Sequence, residues 1–200
     1  MGKQLRNAAH TSRAWRIHEI AVGFRLENAW AIQIPGAGPN DFGPVLDTLF
    51  PLERTDDPFA SAPAPLRILL AIRQYLGRLF RWDPSEPSDG ARGLLRDHLP
   101  SDLRDTATNR SFAMMTSVYE LDDECAFEFI NNTVHGVMHM GWVPTAAGGY
   151  ELHMAEITKP KGRLGRLYMT AIAPFRRTLA VPALLRQWER RFDAPQPTRR

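Results

Sequence analysis

Glu156, His135, His139 and His153 are the side chains whose types and spacing best suit proton transfer or the capture of a polar group. His135 and His139 stand four residues apart. On a helix that interval would bring two imidazoles to one metal ion. On a strand it separates them by about 13 Å, at roughly 3.3 Å per residue, beyond the reach of a single ion. The pair is not a metal site by itself, and no Walker loop, GxGxxG or HExxH template is present, so no cofactor is expected. Glu156 interrupts an apolar alternation, and a carboxyl in an apolar pocket resists ionisation unless a cation or donors hold its charge, which is how a general acid or base is tuned. The expectation is that Glu156 acts as acid or base, or anchors a polar ligand group, with Tyr150 assisting. The plainer alternative is a structural pair with Arg176, Arg177 or a backbone amide near the sheet edge.

These residues are positioned by a region that starts at Ala113 and alternates with period two. Local chemistry marks turns at Asp122-Asp123 and Asn131-Asn132, and a longer one at Pro144 to Gly148. Pairing Leu121 with Glu124, Ile130 with Thr133 and Val143 with Gly149 gives one consistent parity across four antiparallel strands. One face then holds Met114, Thr116, Val118, Cys125, Phe127, Phe129, Val134, Gly136, Met138, Met140, Trp142, Tyr150, Leu152, Met154 and Glu156. The other holds Met115, Ser117, Tyr119, Glu128, Ile130, His135, Val137, His139, His153 and Ile157. The first set is almost wholly apolar and the second mixed, as in a sheet with one buried and one partly wet side. In this register His139 falls opposite His153, and Glu156 opposite Gly136, whose missing side chain leaves room beside the carboxylate. The histidines are expected as partly exposed, hydrogen-bonded groups.

Upstream, Ala29 to Ile34 reads as a first strand, ended by Pro35-Gly36-Ala37-Gly38-Pro39. Asn40 or Asp41 is placed to cap a short helix carrying Phe42, Val45, Leu46, Leu49 and Phe50. A second helix begins near Pro65, with a basic face that solvent satisfies. The Pro-, Ser- and Gly-rich stretch from Asp83 to Ser111 reads as a long excursion holding one short helix. After Lys159-Pro160-Lys161-Gly162 the spacing turns helical, from Leu164 through Tyr168, Ile172 and Phe175 to Trp188 and Phe192. Pro174 and Pro182 each delete a backbone donor, so kinks or breaks are expected there.

Composition narrows the function classes. The formal charge of +3 is concentrated at the two ends, and the body between them is close to neutral, which argues against a nucleic-acid surface. One cysteine, Cys125, allows no intrachain disulfide. No signal peptide and no apolar stretch of about 20 residues is present, so there is no membrane span and a cytoplasmic location is expected. The use of Arg over Lys, with abundant Ala and Pro, points to a GC-rich bacterial genome. Residues 1–14 are expected as a flexible basic arm, 15–192 as a single domain and 193–200 as a flexible tail.

The order strand, two helices, several antiparallel strands and long final helix resembles the helix-grip fold of the START and Bet v 1 (SRPBCC, polyketide cyclase-like) superfamily. The run from Thr133 to Val143 (TVHGVMHMGWV), with Lys159-Pro160 and the segment Tyr168 to Arg176, further resembles a bacterial family of unknown function, over about Trp15 to Trp188. The resemblance implies an α+β fold in which a curved antiparallel sheet of about five to seven strands wraps a Pro-kinked C-terminal helix around a cavity for a small apolar or aromatic ligand. Phe127, Phe129, Met138, Met140, Trp142, Tyr168, Phe175 and Arg176 are the expected walls. Three readings follow: a carrier or sensor of that ligand; a cofactor-independent cyclase, dehydratase or hydrolase using Glu156 and Tyr150; or an interaction module with a packed core, whose outer histidines would serve a homodimer.

Overall fold

Apolar residues alternate along four long segments of this chain, and those segments form the middle of a seven-stranded antiparallel sheet. The structure is a computed structural model and describes residues 2–50, 63–79, 93–112 and 114–193. The strands are β1 (Lys3–Leu5), β2 (Arg25–Gln33), β3 (Ser111–Phe112), β4 (Met115–Glu120), β5 (Glu124–Ile130), β6 (Val134–Pro144) and β7 (Tyr150–Pro160). Their spatial order is β1-β2-β7-β6-β5-β4-β3. Helices α1 (Asn7–Thr11) and α2 (Ile17–Ile20) precede β2; α3 (Phe42–Leu49) and α4 (Ala64–Leu79) follow it; α5 (Gly162–Phe175) and α6 (Val181–Asp193) close the chain. The architecture is α+β. Among the described residues, no helix is long and apolar enough to cross a membrane.

The parity read from the sequence holds on β5, β6 and β7, but two hairpins are longer than expected. Ile130 pairs with His135 rather than Thr133, because the Asn131 carboxamide accepts from the Thr133 and Val134 amides and organises a four-residue turn. Val143 pairs with Glu151 rather than Gly149. Each turn adds two residues to the register, so faces are preserved while partners slide. Glu156 therefore lies opposite Met138, not Gly136, and His153 opposite Gly141, not His139. The room expected at Gly136 is filled by Phe129, whose ring a Cβ there would overlap. On β4 a bulge at Val118 breaks the alternation. Val118 joins Tyr119 in the core of the second face, while Met115 packs against the first. Thr116 pairs with Glu128 of that second face, and Ser117 with Phe127 of the first, so the assignments made for these β4 residues are reversed.

Both faces of the sheet are covered. On the first, α3 and α6 bury Phe42, Leu46, Leu185 and Trp188 against Phe127, Met140, Trp142, Leu152 and Met154. Asp41 stands at the N-cap position of α3, but its carboxylate accepts the Gly38 amide in the turn before it rather than an amide of the first helical turn. On the second face, Trp15, Ile17 and Ala21 from the N-terminal segment and Leu99 and Leu103 pack on Val137, Val143, Ala155 and Ile157. This corrects the partly wet side expected from its polar residues. It also corrects the flexible arm: residues 3–5 add a strand beside β2, and His10 in α1 is fully buried. The excursion is described from residue 93 onward and contains a single 3-10 turn, Leu95–His98. Its first part, from Asp83, and the tail beyond Asp193 lie outside the described residues.

The final helix is interrupted where the prolines predict, but by widening rather than by a break. Arg176–Ala180 forms a π-helical segment between α5 and α6. Pro174 and Pro182 remove the amides that would donate to the carbonyls of residues 170 and 178, and the wider turn between them absorbs the mismatch. Of the apolar residues assigned to this helix, Tyr168, Leu185 and Trp188 are buried, while Leu164, Leu167 and Leu179 face outward.

Candidate functional site

A cavity of about 180 Å³ opens between the sheet and the α5–α6 helix. Phe129, Val134, Met138 and Met154 form its sheet wall, and Tyr168, Met169, Ile172, Ala180, Val181 and Leu184 its helix wall. Five of the seven methionines line it: Met114, Met115, Met138, Met154 and Met169. Met114 is 46% exposed and marks where the cavity nears the surface.

Its polar end is built by two local irregularities. In β2, Leu26 pairs with Ile157 and Asn28 with Glu156, so Glu27 is the extra residue of a bulge. That bulge delivers both Glu27 and Asn28 to the helix side of the sheet. Opposite them, the π segment turns Arg176 inward until it is only 8% exposed. The guanidinium lies 3.5 Å from Glu27 through Nη2 and 3.5 Å from Glu156 through Nε. Arg176 Nε is buried and has no hydrogen-bond partner among the described residues. Asn28 Nδ2 donates to Glu156 Oε2 at 2.5 Å, and its Oδ1 accepts from Trp30 Nε1 at 2.9 Å. Burial alone would raise the Glu27 carboxyl, but hydrogen bonds from Arg25 and Thr158 and the Arg176 charge outweigh it and hold the group below the usual carboxylate range.

Residues 20–183, which contain all four polar residues and the cavity lining except Leu184, match the family "Protein of unknown function (DUF2867)". The chain belongs to the DUF2867 family. No curated protein and no solved structure matches the chain. In this DUF2867 member the β2 bulge and the π segment, and with them Glu27, Asn28, Glu156 and Arg176, all fall inside the matched region, whereas His10 and Trp15 fall outside it.

The sequence-derived site residues are divided by the fold. Glu156, Phe129, Met138, Tyr168 and Arg176 line the cavity. Phe127, Met140 and Trp142 belong to the solid core beyond it, and Phe175 is half-buried outside the lining. Tyr150 stacks on Trp142, six residues along β7 from Glu156, or about 20 Å at strand rise, so it cannot assist that carboxylate. Glu27 and Asn28 went unnoticed because a bulge has no signature in alternation. The only sequence signal was two polar residues just ahead of the Ala29–Ile34 run.

The histidines occupy the second face and are buried rather than partly exposed. Each holds a carboxylate: His135 Nε2 on Glu128 at 2.7 Å, His139 Nε2 on Glu124 at 2.8 Å and His153 Nε2 on Glu151 at 2.7 Å. His139 Nδ1 also meets His10 Nε2 at 3.0 Å. Glu124 further accepts the Tyr119 hydroxyl and the Arg16 amide, and Glu128 accepts the amides of Leu95 and Arg96. These contacts fasten the N-terminal segment and the 94–103 segment to the sheet. Among the described residues, no group of three or more His, Cys, Asp or Glu side chains is placed to hold a metal ion.

Burial, with the charges of His139, His18, His153 and Arg13 nearby, takes His10 down to about 3 from 6.5. Burial also lowers His139 and His153 despite their carboxylates. Below pH 6.5 the unfolded chain binds protons on these histidines that the folded chain refuses, so stability present above 6.5 is lost as pH falls, by about 1.4 kcal/mol per unit for His10 between 6.5 and 3, with His139 and His153 adding in the same direction. The urea midpoint is expected to be level from pH 8 to 7 and to drop steadily between 6.5 and 5. His10→Gln should flatten the drop by about one proton. A midpoint unchanged from pH 7 to 5 would contradict this account.

Proposed function

We propose that this protein binds a small, largely apolar molecule between the sheet and the C-terminal helix, as a carrier or sensor of that molecule. The supporting observation is the cavity itself, largely apolar along its walls and bounded at one end by Arg176 and Glu156, with Asn28 hydrogen-bonded to Glu156 behind them. Apolar walls with a few convergent polar groups are the usual form of a small-molecule site. On a scale where a cavity of about 150 Å³ admits benzene, a space of about 180 Å³ suits a single ring or a short chain. Methionine side chains are unbranched and polarisable, and they adapt to ligands of different shape. The finer likeness to helix-grip proteins agrees with this reading, since the last helix lies across a sheet whose first long strand, β2, pairs with its last, β7. The enzyme alternative loses its second group with Tyr150 out of reach.

The test uses the methionines as reporters. Titrating toluene into protein carrying ¹³C-methyl methionine should move the signals of Met138, Met154 and Met169 while leaving Met140, in the solid core, in place. Ile172→Trp, at a half-buried wall position, should weaken the response tenfold or more without lowering the unfolding midpoint. Signals that stay fixed at saturating toluene would refute a ligand cavity here.

A further inference from the structure

We infer that the molecule bound in this cavity is uncharged and carries one hydroxyl at its polar end, as a small alcohol or phenol does; the inference rests on the cavity reading above. Charge balance is the first argument. Arg176 has a carboxylate on each side, Glu27 and Glu156, each at 3.5 Å, and Glu27 is balanced in turn by exposed Arg25 at 3.1 Å. Among the described residues the polar end is therefore neutral before any ligand arrives. A ligand carboxylate would compete with Glu156 for Arg176 and face two like charges. A ligand ammonium would face the guanidinium. Among the described residues the rest of the lining carries no charged side chain, so neither charge finds a counter-ion to spare, and an unpaired buried charge costs far more than a neutral polar group.

Hydrogen-bond inventory is the second argument. Among the described residues, Arg176 Nε–H is buried without an acceptor, and Glu156 beside it accepts one hydrogen bond, from Asn28. A donor without an acceptor next to a carboxylate with spare lone pairs is the complement of one hydroxyl, which accepts from Nε–H and donates to the carboxylate. A ketone satisfies only the first half and a thioether neither. Asn28 cannot turn to fill the gap, because Trp30 holds its oxygen. Two distortions of regular structure, a β-bulge and a π segment, are needed to bring these groups together, and both are commonly found at functional sites.

The test compares ligands with one tail and different heads, read by the same methionine methyl signals at pH 7: hexan-1-ol, hexan-2-one, hexanoate and hexylammonium, with toluene as the headless control. Hexan-1-ol should bind at least tenfold tighter than hexanoate and hexylammonium, and several-fold tighter than hexan-2-one. In Glu156→Gln, which removes one negative charge but keeps the side-chain shape, hexanoate should gain at least tenfold relative to hexan-1-ol. If toluene binds but hexanoate or hexylammonium matches or exceeds hexan-1-ol in the unaltered protein, the hydroxyl inference is overturned and the cavity stands. If toluene and every member of the series leave the signals fixed, both fall.

Discussion

Replacing Glu124 by alanine is expected to cost about 3–5 kcal/mol, because it strips the acceptor from three hydrogen-bond donors at once. Glu124 is 3% exposed and receives three donors: His139 Nε2–H, the Tyr119 hydroxyl and the Arg16 amide. Burial raises its carboxyl, yet the His139 bond and the Arg16 amide outweigh burial and hold it ionised. Without it, three donors are left in a site that water does not reach, at about 1–3 kcal/mol each before relaxation. The His10–His139 contact then loses its orientation, because His139 keeps its Nδ1 lone pair toward His10 only while Nε2–H has an acceptor. Against a typical total stability of about 5–15 kcal/mol, a loss of that size leaves little folded protein at 37 °C. Glu124→Gln, which keeps one acceptor oxygen, should cost about half as much. Urea unfolding at pH 7.5 measures both, and a loss below about 1 kcal/mol for Glu124→Ala would mean that solvent or a neighbour replaces the carboxylate.

Trp188→Ala is expected to cost a similar 3–5 kcal/mol for a different reason. The indole is 1% exposed and meets Phe50 and Phe112 edge to face, at centroid distances of 5.5 and 5.8 Å. Its removal leaves a void that three separate elements, α3, α6 and β3, would have to close together. Two aromatic contacts of about 0.5–1.5 kcal/mol each are also lost. Trp188→Phe should recover more than half of the loss. Because α6 carries Leu184 of the cavity wall on the same helix, Trp188→Ala should also weaken toluene binding, whereas Glu124→Ala, on the opposite face, should leave the binding of the folded fraction unchanged.

What could be read from the sequence was the part governed by periodicity. Alternation along Glu124 to Tyr150 fixed which side chains share a face, and that survived two hairpins each longer than expected because both lengthened by an even number of residues. The N-terminal segment was misread because Lys3, Arg6, His10 and Arg13 carry no apolar rhythm, and three strand residues at a sheet edge need none. The second face looked wet because a buried Glu–His pair and a solvated one are spelled with the same letters. A clue was present: Glu124 and Glu128 on one strand, and His135 and His139 on the next, share one parity and one spacing, which places acceptors against donors. Glu27 and Arg176 were harder, since each reaches the polar cluster at the cavity's end only through an irregularity in its own strand or helix.

The shortness of β1 and β3 has a bearing on how the protein behaves in a crowded solution. Strands of eleven residues sit inside the sheet, while its two borders are a three-residue strand beginning at Lys3 and a two-residue strand. A border strand is the place where foreign chains add themselves by backbone pairing, and brevity and charge are the usual deterrents. Among the described residues these two short strands thus finish the sheet at both borders and offer intruding strands, including those of a second copy, little ladder to extend.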